Sequence, residues 1–256
     1  MRSVRFIGPG RAGRSLAFAL GRAGWDVAGL LGRADDISCA AEGVDLLVIS
    51  TPDDAIAGVA ASVRSTSTTA VVHLSGALGL DVLAPHPRRG GLHPLVPLPD
   101  PVVGSDRLAS GITFAVAGDP LSYEVVACLG GHAVVLDDRD RPLYHAAACI
   151  ASNHLVALLG QVERVAEGAG LPLEVFLGLA RSALDDVARV GPRRALTGPA
   201  ARGDVATLAR HREAIPAGER PGYDAGVALA VRLAGRGDTG EPASSVRARA
   251  VPAGVG

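Results

Sequence analysis

Val4-Arg-Phe-Ile-Gly-Pro-Gly-Arg-Ala-Gly13 places a short apolar run directly before three glycines spaced Gly8-x-Gly10-x-x-Gly13, and its reading decides the fold. Gly8 suits the tight turn off a strand, Gly10 lets backbone approach a pyrophosphate, and Gly13 lets the next helix lie close to a sheet. The helix read over Arg14 to Ala23 offers its free N–H groups and positive dipole end to phosphate. With 33 glycines in 256 residues the spacing arises easily by chance, so its surroundings carry the weight.

Those surroundings alternate. Trp25 to Leu31, Val44 to Ile49 and Val71 to Leu74 read as strands, with a helix over Pro52 to Val63 whose first-turn acids favour its dipole. Pro85 to Pro101 is rich in proline and reads as a loop. Strands at Ile112 to Ala117 and Ala133 to Leu136, with a helix at Ser122 to Leu129, complete a first domain over 1–138. Short apolar runs between helices predict a parallel, right-handed, doubly wound α/β sheet of the Rossmann type. From Pro142 the pattern turns helical, with helices at Leu143 to Gly168, Leu173 to Val190, Val205 to Ile215 and Tyr223 to Ala234, which predicts an all-helical domain over 139–236. Residues 237–256 carry no apolar period and are expected to be disordered.

Composition narrows the classes of function. A net charge of -1 offers no footprint for nucleic acid or an anionic membrane, and 3% aromatics leaves little to stack on bases. No uninterrupted apolar run approaches the roughly 20 residues of a membrane span, so a cytoplasmic location is expected. Cys39, Cys128 and Cys149 are far apart in apolar sequence and read as buried free thiols, with no metal site. All 25 basic residues are arginine, which excludes any mechanism needing a lysine ammonium or Schiff base.

The glycine loop Gly8, Pro9, Gly10, Arg11, Ala12 and Gly13 is the expected phosphate cradle. Arg33, just past the second strand, is placed to pair with a 2'-phosphate and points to NADP, while Asp35 and Asp36 keep NAD open. Ser50, Thr51 and Pro52 end a strand where ligands of such sheets collect, and Gly76 follows the next strand.

Hydride transfer to a carbonyl needs a proton carrier near neutral pH. His93, in Gly-Gly-Leu-His-Pro, is expected on the loop passing before the sheet, where it carries a proton or merely caps a turn. His145, Cys149 and Asn153 recur at four-residue steps and stack on one helix face with Ser152, marking a substrate site or a seam between domains. His73 lies in a strand and reads as a packed residue. Arg202, near Asp204, is free to meet a substrate carboxylate, and Asp204 reads as an N-cap.

Taken together, Gly8-Pro-Gly-Arg-Ala-Gly13, Thr51-Pro-Asp-Asp54, His73-Leu-Ser-Gly76, Gly91-Leu-His-Pro94, Tyr144-His-Ala-Ala-Ala148 with Ser152-Asn153, and Leu196-Thr-Gly-Pro-x-x-Arg-Gly-Asp204 resemble the Rossmann-like proteins whose C-terminal half is domain of unknown function 2520. That family is similar to the 6-phosphogluconate dehydrogenase-like superfamily, with ketopantoate reductases, β-hydroxyacid dehydrogenases, pyrroline-5-carboxylate reductases and prephenate dehydrogenases among its relatives. The resemblance implies a nicotinamide cofactor, a helical domain that forms a homodimer, and a small carboxylate-bearing carbonyl or imine substrate. Two of those relatives place a lysine one turn before an asparagine. If Asn153 is that asparagine, Cys149 stands in the lysine's place, and a thiol in an apolar helix is no cationic acid. Prephenate dehydrogenases pair a serine after a core strand with a later His-Pro, as Ser75 and His93-Pro94 stand here. The expected activity is an NADP(H)-dependent oxidoreductase in which His93 or His145 handles the proton, Ser75 and Asn153 orient substrate, and Ser152 and Arg202 bind it. A non-catalytic NADP-binding protein of the same fold is the alternative.

Overall fold

The computed structural model describes residues 1–235; the expected disordered tail lies outside them. Two compact units divide the chain, the first over Met1–Cys149 and the second beginning at Ile150.

The first unit is an α/β domain. β1 (Ser3–Ile7), α1 (Arg11–Arg22), β2 (Asp26–Leu31), β3 (Leu46–Ile49), α2 (Asp53–Ser62), β4 (Ala70–His73), β5 (Arg89–Pro94), α3 (Pro101–Leu108), β6 (Thr113–Gly118), α4 (Leu121–Cys128), β7 (His132–Val135) and α5 (Arg141–Cys149) follow in order. Seven strands form one sheet in the order β2-β1-β3-β4-β5-β6-β7. β3 and β4 are buried at every position, as strands covered by helices on both faces must be. One face carries a core of Phe6, Leu16, Leu20, Val72, Phe114 and Val125; the other packs Leu47, Ile49, Val71 and Leu83 against Ile56 and Ala60 of α2. Burying each large aliphatic side chain contributes about 1.5–3 kcal/mol.

The structure departs from the sequence reading in three places here. Arg89–Pro94, expected within a loop, is the interior strand β5 between β4 and β6, so His93 stands on the sheet. Its glycines conceal it. A Cβ on Gly90 would strike Ser122 of α4, and one on Gly91 would come 2.5 Å from Arg141 of α5, so close packing on both faces requires residues that do not look like a strand. β6 pairs antiparallel with β5 rather than parallel, because the chain re-enters the sheet where β5 leaves it: Leu95 N–H donates to Thr113 O at 2.9 Å. Between them α3, unforeseen, is started by Asp100, whose side chain accepts from the amides of Val102 and Val103. The cysteines are free, but Cys39 and Cys128 are exposed and Cys149 is half-buried; Cys39 lies in a surface turn, and Cys128 ends α4 with its thiol donating to Val125 O at 3.1 Å.

The second unit is helical. A π-helical turn (Ile150–His154) leads into α6 (Leu155–Glu167), followed by α7 (Glu174–Val190), α8 (Pro192–Ala195), α9 (Pro199–Arg202), α10 (Val205–Ala214) and α11 (Arg220–Leu233). Asp204 is the N-cap of α10, accepting from Thr207 N–H at 3.0 Å. The hydrophobic residues buried in this unit are Ala166, Ala200 and Ile215, while Val156, Val175, Leu179, Leu184 and Leu229 are exposed. One helical stretch, Asp138–Glu167, is long and apolar enough to cross a membrane by length and composition, with a mean hydropathy of 1.3. Arg141 in its first turns is fully buried against the sheet, whereas the apolar window itself is not buried.

Candidate active site

β1, β3, β4 and β5 all run the same way, so their carboxyl ends share one edge of the sheet. The strand order reverses direction at β1, with β2 on one side and β3 on the other, and the crevice beyond such a switch point is where ligands of this architecture bind. A cavity of about 510 Å³ opens there, lined by Gly8, Pro9, Gly10, Arg33, Ser50, Thr51 and Pro52, together with Gly32, Asp35 and Ile37.

The glycine loop is shaped by contact on one side and space on the other. Gly8 has φ +98°, and a Cβ there would stand 2.8 Å from the Ser50–Thr51 backbone. A Cβ on Gly13 would strike Gly8 O and Ser50 Oγ, whereas Gly10 has nothing within 4 Å of that position. Ser50 Oγ donates to Gly8 O at 2.8 Å, so this hydroxyl holds the loop itself. Thr51 Oγ1 is buried in the cavity lining with no partner among the described residues. Asp35 accepts from Gly32 N–H at 2.7 Å and Asp36 from Ser38 N–H at 2.9 Å, which occupies both acids near Arg33. Arg11, Ala12 and Gly13 form the first turn of α1. This cradle fits a dinucleotide: open space at Gly10, backbone N–H groups at a helix start, an unpartnered hydroxyl, and an exposed guanidinium where a 2'-phosphate would lie.

Further along the same edge stands a second group. Ser75, after β4, donates to Asp53 Oδ2 at 2.7 Å and accepts from the amides of Ala77 and Leu78, so it anchors the start of α2 to the turn after β4. Gly76 is pressed between two imidazoles; a Cβ there would lie 2.6 Å from His145 Nδ1 and 3.0 Å from His93 Nε2. His93 Nδ1 and Tyr144 Oη share a hydrogen bond of 2.8 Å, with their rings edge to face. His145 stands 5.8 Å from His93 between ring centroids, and its Nε2 is 3.6 Å from Cys149 Sγ. Burial pushes His93 down to about 4, helped by His145, Arg141 and His73 and opposed by Asp53. Burial pushes Tyr144 up to about 12, and Arg141 pulls it back. A neutral imidazole bonded to an un-ionised phenol is an arrangement that passes one proton along a short path.

The sequence-predicted residues therefore fall into two sets. Ser75, Gly76, His93 and His145 come together in the first unit. Ser152 and Asn153 lie on the π turn and Arg202 at the end of α9, in the second unit. His145 and Cys149 keep the four-residue step expected of them, with His145 Nε2 3.6 Å from Cys149 Sγ, and Asn153 lies on the π turn that follows. Sequence reasoning gave no role to Tyr144, Asp53 or Arg141. Tyr144 carried a signal, an aromatic hydroxyl beside His145 on an otherwise small-residue helix; Arg141 carried one only through the paired glycines of β5. Among the described residues no group of three or more His, Cys, Asp or Glu is arranged to hold a metal ion.

The chain matches a family model described as a Rossmann-like domain over residues 1–99 and a second described as a domain of unknown function (DUF2520) over residues 111–228. No curated protein matches its sequence. Among solved structures, a candidate NADP oxidoreductase of Bacteroides fragilis is 20% identical with a TM-score of 0.73, over 90% of this chain and 98% of that one. A reductive aminase of Aspergillus terreus in complex with NADPH4, cyclohexanone and allyl amine is 16% identical with a TM-score of 0.68, over 91% and 94%. Pyrroline carboxylate reductase of Plasmodium falciparum with NADP bound is 12% identical with a TM-score of 0.59, over 91% and 98%. At these identities the likeness is one of fold. The chain is thus a two-domain protein in which a Rossmann-like domain is followed by a domain of unknown function 2520.

Proposed function

We propose that this protein is an NADP(H)-dependent oxidoreductase exchanging hydride with a small carbonyl or imine that bears a carboxylate. One observation carries the reading: the cavity before the glycine loop and the His93–Tyr144 pair lie at the same carboxyl edge of one sheet. The names of the similar structures support it, one a candidate NADP oxidoreductase and two in complex with NADPH4 or NADP. Engagement of Asp35 and Asp36 by backbone amides, with Arg33 exposed on the cavity, supports NADP over NAD.

When bound, the nicotinamide supplies or removes hydride. The chain's own residues do the rest. Gly8 to Gly13 and Arg33 hold phosphates. Tyr144 Oη delivers the proton in reduction while His93 Nδ1–H donates to the phenol oxygen; in oxidation the ionised phenol takes that proton back and His93 Nδ1–H still donates to it. Asp53 and Ser75 hold the turn that carries Gly76 against both imidazoles. Ser152, Asn153 and Arg202 of the helical unit are assigned to orienting substrate and pairing with its carboxylate. The protein works in the cytoplasm as a homodimer formed through its helical unit.

The test is NADPH binding by fluorescence, followed by turnover on a panel of oxo acids, ketones and imines. Tight NADPH binding with turnover is expected, and Tyr144→Phe and His93→Ala should lower kcat roughly 100-fold or more while the NADPH Kd holds. Turnover unaffected in both variants would sink the assignment; tight binding without turnover would favour the non-catalytic alternative.

A further inference from the structure

Arg141 begins α5 with its side chain fully buried. Its Nε donates to Asp138 Oδ1 at 2.8 Å, while Nη1 and Nη2 have no hydrogen-bond partner among the described residues. A guanidinium stays charged at any pH a protein survives, and burying one is costly. Its placement follows from the register. His73 of β4 pairs with Gly91 of β5, and His93 lies two residues further on the same face. A Cβ on Gly91 would come 2.5 Å from Arg141 Nη2, so the guanidinium fills the space of the missing side chain, on the sheet floor between the two histidines. Tyr144 and His145 follow one helical turn after Arg141 on the same helix.

We propose that Arg141 is a positioning cation for the proton-transfer pair: seated over Gly91 beside His73 and His93, it faces the negative charge that Tyr144 acquires on giving up its proton. The destination of that proton rests on the reductase reading. There the Tyr144 Oη–H bond breaks as a new O–H or N–H bond forms on the substrate atom left negative by reduction, and the charge passes to the phenol oxygen. In a chain without lysine this buried arginine provides the fixed positive charge. The groups facing the cluster are Asp53 from α2, His73 from β4, Asp138 before α5, and His145 beside Tyr144. Arg141 acts on His73, His93 and Tyr144 in one direction, toward the uncharged imidazole and the ionised phenol.

The electrostatic part is tested without turnover, by imidazole NMR titration of the full chain. In the unaltered protein His73 and His93 should remain neutral well below the ordinary histidine range. Arg141→Gln should move both titrations upward, and Arg141→Lys should restore them. Gly91→Ala gives a second route, since it displaces the guanidinium without removing its charge; it too should raise His93 and serves if Arg141→Gln does not fold. An ordinary His93 titration in the unaltered protein, or unmoved titrations in a folded Arg141→Gln or Gly91→Ala, would overturn the proposal. If substrate turnover is found, Arg141→Gln should lower kcat at least tenfold, with KM and the NADPH Kd little changed and Arg141→Lys recovering part of the loss. A chain that reduces nothing yet shows the histidine shifts would refute the reductase reading alone.

Discussion

Single residues show how closely burial and chemistry are tied in this domain. His73 is fully buried, with neither ring nitrogen partnered among the described residues, and is pushed down to about 4 by burial and then by Arg141. The folded chain therefore binds fewer protons than the unfolded one between about 4 and 6.5. Its neutral state contributes full stability above that window, and the contribution is lost as pH falls through it, by on the order of 3 kcal/mol. His93, also held to about 4, adds a loss over the same window, whereas Asp45, Asp138 and Asp204 are lowered from 3.8, so their stabilisation is lost only below that value. Denaturant unfolding at a series of pH values should show stability declining from pH 6.5 downward, with a shallower slope in His73→Gln; equal slopes would exclude His73 as the cause. The glycines of the turn before α1 were legible in sequence because their spacing is local. Gly76 and Gly91 were not, because what they make room for, His93, His145 and Arg141, arrives from other elements.

At the scale of elements, helices and strands with a period of their own were read nearly where they stand, as with β3, α2, α4 and α7. β5 was lost because Arg-Gly-Gly-Leu-His-Pro has a strand's neighbours without a strand's residues. α3 was lost inside a proline-rich stretch although Asp100 followed by Pro101 is a start signal. That cap is testable. Asp100 accepts at 2.9 and 3.0 Å from two first-turn amides, and α3 packs against α1, with a Cβ on Gly104 barred by Ser15. Asp100→Ala should cost about 1 kcal/mol in urea unfolding with m unchanged. Asp204→Ala, which removes the single side-chain bond at the start of α10, should cost a similar or smaller amount.

At the scale of the whole molecule, the two units differ in how much they bury. The sheet unit encloses large aliphatic and aromatic side chains, whereas the helical unit leaves Val175, Leu179 and Leu184 of α7 and Leu229 of α11 exposed. A 17-residue amphipathic helix with no buried residue of its own is a face awaiting cover. A second copy is the cover proposed above, and it predicts that the protein is a dimer by light scattering and that Leu179→Glu shifts it toward monomer; a monomeric unaltered chain would refute the homodimer. By itself the order of residues determined the glycine cradle, the α/β half, the helical half and the position of Arg33, because each depends on spacing within one or two neighbouring elements. Only the tertiary structure decided that β5 is a strand, that β6 turns against it, and that Tyr144, His93 and a buried Arg141 meet on one face. Those meetings depend on strand register and on space left by missing side chains, and neither is written in any local run of residues.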